Sequence, residues 1–250
     1  MKNISIQVIN PSSISEAADL CVAMARITQR GEKIASINDL EALLEKPYSP
    51  ELLSTLLSLP HPTLQKFGVI TVAVIGASRR FLAQVTRHQN EVKFMSASLQ
   101  YSDYSNDADF LYPIGLTAKQ KETLQKAYHD AANVYKELVQ AGVNRDEAGY
   151  VMPQALRNVL VISATPYQWK HMILQRTCRR NTKETRYIFL LIQEALEALA
   201  PEFMKVRLAC CPEGFMTCGR PVDKAFTPSE ILRTDFRELY EEATYETETH

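Results

Sequence analysis

The most constraining feature of the sequence is an apolar, mostly β-branched run, VITVAVI, at residues 69–75. Gly68 and Gly76 flank this run, so the pattern predicts a short buried strand. Ser78 follows as a candidate N-cap, and we expect a helix over residues 79–88. The chain is therefore predicted to pass from a core strand directly into a helix.

The predicted helix carries three polar residues of chemical interest, Gln84, Arg87 and His88. They stand three and four residues apart, so on a helix they would share one face. Taken alone, an Arg-His pair at a helix C-terminus commonly does no more than interact with the helix dipole. The face becomes a candidate site only if other parts of the chain support it.

The rest of the chain mixes helical and strand patterns, with neither an internal repeat nor a flexible linker. ISIQVI near the start and NVLVIS at residues 158–163 predict strands, whereas the polar segment after residue 89 predicts irregular structure. We expect Ser15 to open a helix with Glu16 and Asp19 in its first turn, and Asn181 with Glu184 to form a capping box. Further helices are predicted at residues 38–45, 49–57, 117–140 (ended by Gly142), after Thr165-Pro166, and at 184–199. This mixture predicts the α+β class in one domain over residues 1–250.

Composition excludes several classes of protein. Lys and Arg total 28 against 29 Asp and Glu, a formal net charge of -1. This balance gives no global field for nucleic acid or an anionic membrane, so we expect neither partner and any anion site must be local. The longest apolar run is too short to span a bilayer, and the first residues lack a signal-peptide pattern.

Cysteine usage points to a reducing compartment. The five cysteines are an odd number, which favours free thiols and a cytoplasmic protein. Zinc sites prefer paired short spacings, and Cys178, Cys210, Cys211 and Cys218 do not provide them, so we expect no metal. The acidic C-terminal end, residues 230–248, predicts a solvated helix and tail.

Two regions of the chain follow a known signature in order and spacing. In the first, a His and a Thr precede the strand, Gly-x-Ser-Arg follows it, and Gln-x-x-Arg-His closes the helix; the residues are His61, Thr63, Gly76, Ser78, Arg79, Gln84, Arg87 and His88. In the second, residues 148–186 read AGYVMP, NVLVIS, WKHM and then Arg176, Glu184 and Arg186. MARIT at residues 24–28 and the CPEGFMTCG tail add to the match. The chain thus resembles the flavin-dependent thymidylate synthases.

The sequence departs from this pattern at several positions. Gln89 replaces the second Arg of Arg-His-Arg, and Ser98 matches the signature serine only with a one-residue insertion. Gln100 and Gly149 replace two arginines that help to hold the nucleotide phosphate in that family. Tyr167 stands where an Arg that helps to bind flavin is common. The sequence is thus identified as a divergent member or a relative with a changed substrate.

The resemblance implies a fold, an activity and an assembly. The fold is a twisted, mostly antiparallel β-sheet flanked by α-helices. The activity is methylation of dUMP at C5 to give dTMP, with methylenetetrahydrofolate as carbon donor, reduced FAD as hydride donor and NADPH as reductant. The assembly is a homotetramer whose active sites draw on more than one subunit. Two alternatives stay open: the same chemistry on another uracil nucleotide or nucleoside, or a catalytically silent flavin- or nucleotide-binding homologue.

The resemblance also implies roles for individual residues. Arg176 is the catalytic candidate, because a guanidinium aimed at the uracil ring stabilises negative charge on its carbonyls. Alone, it would be a surface Arg closing a helix. The implied substrate-binding residues are Gln84, Ser98, Gln100 and Tyr101, to which we add Arg179 and Arg180 from the basic segment that follows Arg176. The implied cofactor-binding residues are Thr28, Thr63, Arg87, His88, Gln89 and His171.

For two of these assignments, a purely structural role is the alternative. Ser98 has no candidate base for a nucleophile, so nucleotide binding or an ordinary loop position is expected. Residues 176–186, RTCRRNTKETR, hold five basic side chains before a predicted helix N-terminus, a pattern that favours anion binding. Our hypothesis is that Arg179 or Arg180 supplies the phosphate charge that Gln100 and Gly149 lack. A solvated basic turn or an intersubunit salt bridge is the alternative.

Overall fold

The computed structural model of the chain describes residues 4–206 and 227–239. The strands are β1 (Ser5–Val8), β2 (Ile70–Ser78), β3 (Val92–Ser96) and β4 (Arg157–Ala164). The helices are α1 (Ser12–Arg30), α2 (Ile37–Leu44), α3 (Pro50–Ser58), α4 (Arg79–Val85), α5 (Ala118–Gln140), α6 (Arg145–Ala148), α7 (Pro166–Arg176), α8 (Lys183–Leu199), α9 (Pro201–Met204) and α10 (Pro228–Asp235). Short 3-10 turns occupy Gly31–Lys33, Pro62–Lys66 and Gly149–Val151.

The four strands form one antiparallel sheet in the order β1-β2-β4-β3. Strands β2 and β4 are the central pair, with Val74 opposite Leu160. Gly76, at φ 77°, lies where the register shifts in β2, in the left-handed region that glycine adopts without strain. The prediction of an α+β fold with an antiparallel sheet flanked by helices is confirmed.

One face of the sheet carries the hydrophobic core. Ile70, Val72 and Val74 of β2 are buried, as are Leu160 and Ile162 of β4. The α7 side chain Trp169 is also buried and donates its indole N–H to the Ile70 carbonyl at 2.9 Å. On the opposite face Ile75 and Val159 lie across from each other, and each is 44% exposed. The predicted buried strand is therefore buried on one face and partly open on the other.

Two predicted helix starts are wrong. Helix α1 begins at Ser12 rather than after Ser15, so Glu16 and Asp19 do not lie in its first turn. Helix α8 has Thr182 as its N-cap instead of Asn181, and the Thr182 side chain accepts a bond from the backbone N–H of Thr185. Helix α1 has Pro11 at its N-cap position and no side-chain cap, whereas a threonine hydroxyl caps α8.

The helix after β2 is shorter than predicted. Ser78 is its N-cap as expected, accepting a bond from the Phe81 N–H, but α4 ends at Val85. Arg87 and His88 therefore lie in the turn beyond the helix and do not share a helical face with Gln84. Arg87 is exposed whereas His88 is buried. The predicted i, i+3, i+4 face is wrong.

The segment predicted to be irregular contains strand β3. Its residues pair with β4 from Val92, opposite Ala164, to Ser96, opposite Leu160. The predicted strand at residues 158–163 and the helix opened by Thr165 and Pro166 are confirmed. So is the long helix α5, which a Thr117–Gln120 capping box opens and Gly142 follows at φ 90°.

Only part of the C-terminal region can be compared with its predictions, because residues 207–226 and 240–250 lie outside the described residues. Helix α10 forms within the acidic end, but Leu232 and the following Phe236 are buried, so it docks on the core rather than standing in solvent. Cys210, Cys211 and Cys218 lie outside the described residues. Within residues 4–206 and 227–239, no helix is long and apolar enough to cross a membrane.

Candidate active site

The candidate site forms where the ends of α4 and α7 meet the start of α8. Arg176, the last residue of α7, is half-buried and holds these segments together. Its Nε donates to His88 Nε2 at 2.8 Å, and one Nη donates to the Gln84 carbonyl at 3.0 Å. The other Nη lies 3.4 Å from Asn181 Oδ1. The guanidinium is therefore fixed in orientation by Asn181, five residues further along its own segment, and by Gln84 and His88 from the distant segment at the end of α4.

The geometry sets the protonation state of His88. Arginine nitrogens only donate, so His88 Nε2 must carry a lone pair and the ring proton resides on Nδ1. Burial, followed by the charge of Arg176 and then His171, lowers the pKa of His88 to about 4. At neutral pH the imidazole is uncharged, and the positive charge of the site stays on arginine.

Arg176 and Arg87 concentrate positive charge at this point. Burial, with the nearby charge of Arg87, lowers the pKa of Arg176. Among the described residues, no carboxylate forms an ion pair with either guanidinium. Two neighbouring cations without a counter-ion in the described part of the chain favour an anionic or electron-rich ligand.

Aromatic rings extend the site along α7. His171 lies 6.3 Å from His88 with the rings edge to face, and 6.5 Å from Tyr167 with the rings nearly parallel. His171 is exposed, and its Nε2 lies 2.8 Å from the Gln175 side chain. Lys66 Nζ is 5.2 Å from the Tyr167 ring centroid. These groups offer a flat, partly open surface beside the arginines.

Glu91 lies beside Lys66 and the start of α7, next to the aromatic rings of the site. Its backbone has φ 57°, in the left-handed region that glutamate rarely adopts. Its carboxylate accepts bonds from Lys66 Nζ at 2.9 Å and from Thr165 Oγ1 at 3.1 Å. The bond from Lys66 is the main reason why the pKa of Glu91 is lowered. The turn after His88 is thereby attached to the start of α7.

Gln84 lies at the site, and its observed contacts are ones that the sequence did not indicate. Its carbonyl accepts from Arg176, and its side-chain Oε1 accepts from Thr185 Oγ1 at 3.2 Å. Thr185 is fully buried. Both polar ends of Gln84 thus hold α4 to α7 and α8 in this structure, while its predicted substrate role stays a prediction.

Sequence reasoning did not assign a site role to Asn181 or Glu184. Asn181 contacts Arg176 and donates its amide to the Gln175 carbonyl at 2.8 Å. Buried Glu184 accepts from the backbone N–H and the Oγ of Ser78, each at 2.7 Å. The sequence signal for both was the capping-box spacing, which pointed to local caps instead of these long-range contacts.

The predicted nucleotide-binding residues occupy a separate loop after β3. Ser98 is half-buried, and its Oγ accepts from the Gln100 N–H at 3.1 Å. Gln100 is exposed and Tyr101 is 78% exposed. Leu99 packs on Gly149, where an added Cβ would lie 3.3 Å from the Leu99 side chain. In the part of the chain that the structure describes, no hydrogen bond joins this loop to Arg176.

The remaining predicted residues lie on the surface around these elements. Arg179 Nε is 3.7 Å from Asp235, which also accepts from Arg186 at 2.7 Å. Arg180 is exposed, and among the described residues no carboxylate pairs with it. Thr63 and Gln89 are exposed, as is Thr28, whose hydroxyl bonds the Met24 carbonyl. The structure brings Arg87, His88, His171, Gln84 and Arg176 together; it does not join the others to them.

Comparison with known proteins finds related sequences over most of the chain. A family model described as thymidylate synthase complementing protein matches residues 10–202. A flavin-dependent thymidylate synthase of Geobacter sulfurreducens is 26% identical over 223 residues, 85% of this chain and 90% of the relative. One from Thermococcus onnurineus is 27% identical over 177 residues, 65% of this chain and 72% of the relative.

A solved structure shares the fold. It is the crystal structure of the UMP/dUMP methylase PolB from Streptomyces cacaoi bound with 5-Br dUMP. The TM-score is 0.62 at 17% sequence identity, covering 82% of this chain and 94% of that chain.

Proposed function

The chain belongs to the thymidylate synthase complementing protein family, and on that premise we propose that it methylates dUMP at C5 to give dTMP. Methylenetetrahydrofolate is the proposed carbon donor, reduced FAD the hydride donor and NADPH the reductant. The observation that carries this proposal is Arg176, held in place by neutral His88 beside Arg87 with no carboxylate partner among the described residues.

Arg176 is the proposed catalytic residue. Activation of uracil C5 as a nucleophile builds negative charge on the ring carbonyls, and a guanidinium already oriented there stabilises that charge without reorganisation. His88 contributes by being uncharged, because an imidazolium would repel Arg176 and could not accept its Nε–H. The bond to the Gln84 carbonyl fixes the plane of the guanidinium.

The residues present fit a flavin. The two arginines have no protein counter-ion among the described residues, which suits a ring system that gains electrons or a pyrophosphate. The rings of His171 and Tyr167 provide a flat surface beside them. We assign Arg87, His88 and His171 to hold the flavin, with Thr28, Thr63 and Gln89 as further contacts. When bound, the flavin supplies hydride transfer, and the protein supplies orientation and electrostatics.

The uracil nucleotide is proposed to contact the loop after β3. Ser98, Gln100 and Tyr101 provide a hydroxyl, an amide and an exposed aromatic ring. Arg180 is the proposed phosphate contact, because Arg179 already lies near Asp235. The alternative candidate is the same chemistry on another uracil nucleotide or nucleoside, and it is motivated by the missing arginines: Gln100 stands at one of the two positions, and Gly149, which has no side chain and is covered by Leu99, stands at the other.

The proposed setting and assembly follow the family resemblance. We place the enzyme in the cytoplasm as a single domain over residues 1–250 and as a homotetramer. The exposure of Arg87, His171 and Tyr101 is compatible with sites completed by a neighbouring subunit. Sedimentation of the purified protein tests the tetramer, and a monomer at micromolar concentration would contradict it.

Release of tritium from 5-labelled dUMP and from 5-labelled UMP tests the proposed reaction. With FAD, NADPH and methylenetetrahydrofolate present, the native protein is expected to release label from dUMP. Arg176→Lys is expected to lower kcat/KM by about 10²–10³-fold, because lysine cannot make the same three oriented bonds. Arg80→Ala is the control, since Arg80 is exposed on the first turn of α4. Label release from neither nucleotide would refute the proposal.

A further inference from the structure

A cavity lies between the N-terminal helices, and none of the residues of the His88–Arg176 cluster line it. Helices α1, α2 and α3 and the turn Gly31–Lys33 surround about 560 Å³ of open space. This volume falls within the range of small-molecule sites. None of its lining residues has a role in the proposed methylation.

The floor of the cavity is apolar. It is lined by the α1 residues Val22 and Ala25, by Leu43 of α2 and by Leu52 and Leu56 of α3. Val22, Ala25 and Leu56 are buried, whereas Leu52 remains 37% exposed. An apolar group resting here would remove the remaining hydrocarbon surface from water.

Arg26 makes the cavity wall rigid. One of its Nη atoms donates to the Leu43 carbonyl at 3.3 Å and the Lys46 carbonyl at 2.5 Å, and the other donates to the Pro47 carbonyl at 2.9 Å. The connection between α2 and α3 is thereby attached to α1. Because the N–H groups of the Arg26 guanidinium already bind these carbonyls, we expect Arg26 to support the cavity wall and not to contact a bound anion directly.

Three other cations line the cavity: Arg30, Lys33 and Lys46. The acidic residue of the lining, Asp39, accepts bonds from Ser36 Oγ at 2.7 Å and from the Ala35 N–H at 3.1 Å, so it caps α2. Among the described residues, no carboxylate pairs with the three cations. In a chain of net charge -1, this is a local excess of positive charge.

A smaller cavity adjoins the first one, and its acidic lining argues against an anion binding on that side. Its volume is about 410 Å³, and it shares Arg26, Lys46 and Tyr48 with the cavity but adds Asp19 and Glu45. Tyr48 donates its hydroxyl to Asp19 at 2.8 Å. Acidic side chains therefore line that side, which leaves the side of Arg30 and Lys33 for an anion.

We propose that this cavity binds a small amphipathic anion, with an aromatic or aliphatic body on the leucine floor and an acidic group toward Arg30 and Lys33. The shape supplies the apolar contact area and the cations supply the selectivity for negative charge. Arg30 also lies in the last turn of α1, where a cation interacts favourably with the helix dipole. The test must therefore separate ligand binding from helix stability.

The binding of two fluorescent probes to the purified full chain makes this separation. 1-Anilinonaphthalene-8-sulfonate is an amphipathic anion, and N-phenyl-1-naphthylamine has the same aromatic body without the charge. The double variant Arg30→Gln/Lys33→Gln is expected to weaken sulfonate binding about tenfold, since two exposed charge contacts are lost, and to leave amine binding within about twofold. Leu52→Ser is expected to weaken binding of both probes.

The matched control is Lys119→Gln/Lys126→Gln, which removes the same charge from the exposed face of α5. It is expected to leave both affinities unchanged. Displacement of the sulfonate by p-aminobenzoylglutamate or by AMP then shows whether a carboxylate or a phosphate is preferred. The proposal is overturned if the sulfonate affinity survives Arg30→Gln/Lys33→Gln, if the control lowers it equally, or if neither competitor displaces the probe.

Discussion

His88 and Arg176 show how one hydrogen bond defines the chemistry of this site. Because Arg176 Nε donates to His88 Nε2, the histidine must act as an acceptor, and its low pKa agrees with that role. The single positive charge then remains on the guanidinium, beside the charge of Arg87. This charge arrangement suits the electron-rich ring of the proposed reaction.

The low pKa of His88 predicts a pH-dependent stability. The folded-state pKa of about 4 lies below the ordinary 6.5, so the unfolded chain binds the proton more tightly and stability falls as the pH drops from about 6.5 to 4. The shift corresponds to about 2–3 kcal/mol at the acidic end of this window. His88→Gln can still accept from Arg176 but cannot titrate.

Urea denaturation of the native chain and of His88→Gln at pH 7 and pH 4 measures this effect. The free energy of unfolding of the native chain should exceed that of the variant at pH 7, and the difference should shrink by about 2–3 kcal/mol at pH 4. A difference that stays constant across this range would show that His88 does not titrate as expected.

The two adjacent arginines after α7 should differ in their importance for nucleotide binding. Arg179 lies 3.7 Å from Asp235, whereas among the described residues Arg180 has no carboxylate partner. Arg180→Ala is therefore expected to weaken dUMP binding about tenfold, and Arg179→Ala about twofold or less. Calorimetric titration of dUMP into each variant checks this order. Unchanged affinity in both variants would remove these residues from the phosphate site.

At the scale of elements, two contacts connect the sheet to the helices on its core face. The Gly68 turn before β2 packs against α1, and Glu184 of α8 binds Ser78 at the end of β2. Each contact joins segments that are 50 residues or more apart. Both therefore hold the strand that leads into the candidate site.

Gly68→Ala is expected to destabilise the fold strongly. Gly68 has φ 81°, and an added Cβ would lie 2.7 Å from the Ala17 Cβ, so both backbone strain and a steric clash oppose the substitution. We expect a loss of about 2–3 kcal/mol in the free energy of unfolding. Gly31→Ala is the matched control, because its φ is -57° and no atom lies within 4 Å of the added Cβ. That control should be neutral or stabilising by up to about 1 kcal/mol.

Glu184→Gln tests the second connection. The carboxylate accepts two bonds from Ser78, and an amide can accept with only one of its two terminal atoms. A loss of about 1–3 kcal/mol in unfolding free energy is expected, because a buried donor is left unpaired. Glu202→Gln, at an exposed position of α9, provides the comparison and should change stability little. Equal stability of the two variants would contradict the structural role of Glu184.

The sequence predicted most elements, but not where α4 ends. The pattern RRFLAQVTRH remains helical in period through residue 88, whereas α4 ends at Val85. Beyond it the chain turns so that His88 can be buried against Arg176, a partner 88 residues away. Local periodicity carries no information on such a contact. Strand β3 was missed for the same reason, since its pairing with β4 is distant and Lys93 and Met95 are exposed.

At the scale of the whole molecule, the candidate site joins two distant segments, residues 84–91 and 165–186. The sequence could single out Arg87, His88, His171 and Arg176 as candidates because they match a family pattern, and the structure places them close together. It could not show that the Gln84 backbone carbonyl holds Arg176, because any residue at that position has the same carbonyl. A nearly neutral chain thus gathers positive charge at one point through folding.

The proposed conversion of dUMP to dTMP at Arg176 can be followed by the fate of the transferred carbon. Mass spectrometry of the product formed from dUMP and methylenetetrahydrofolate labelled with carbon-13 at its methylene group measures this directly. With FAD and NADPH present, we expect dTMP that carries the label in its 5-methyl group. Recovery of unlabelled dUMP alone, from protein that has bound FAD, would contradict it.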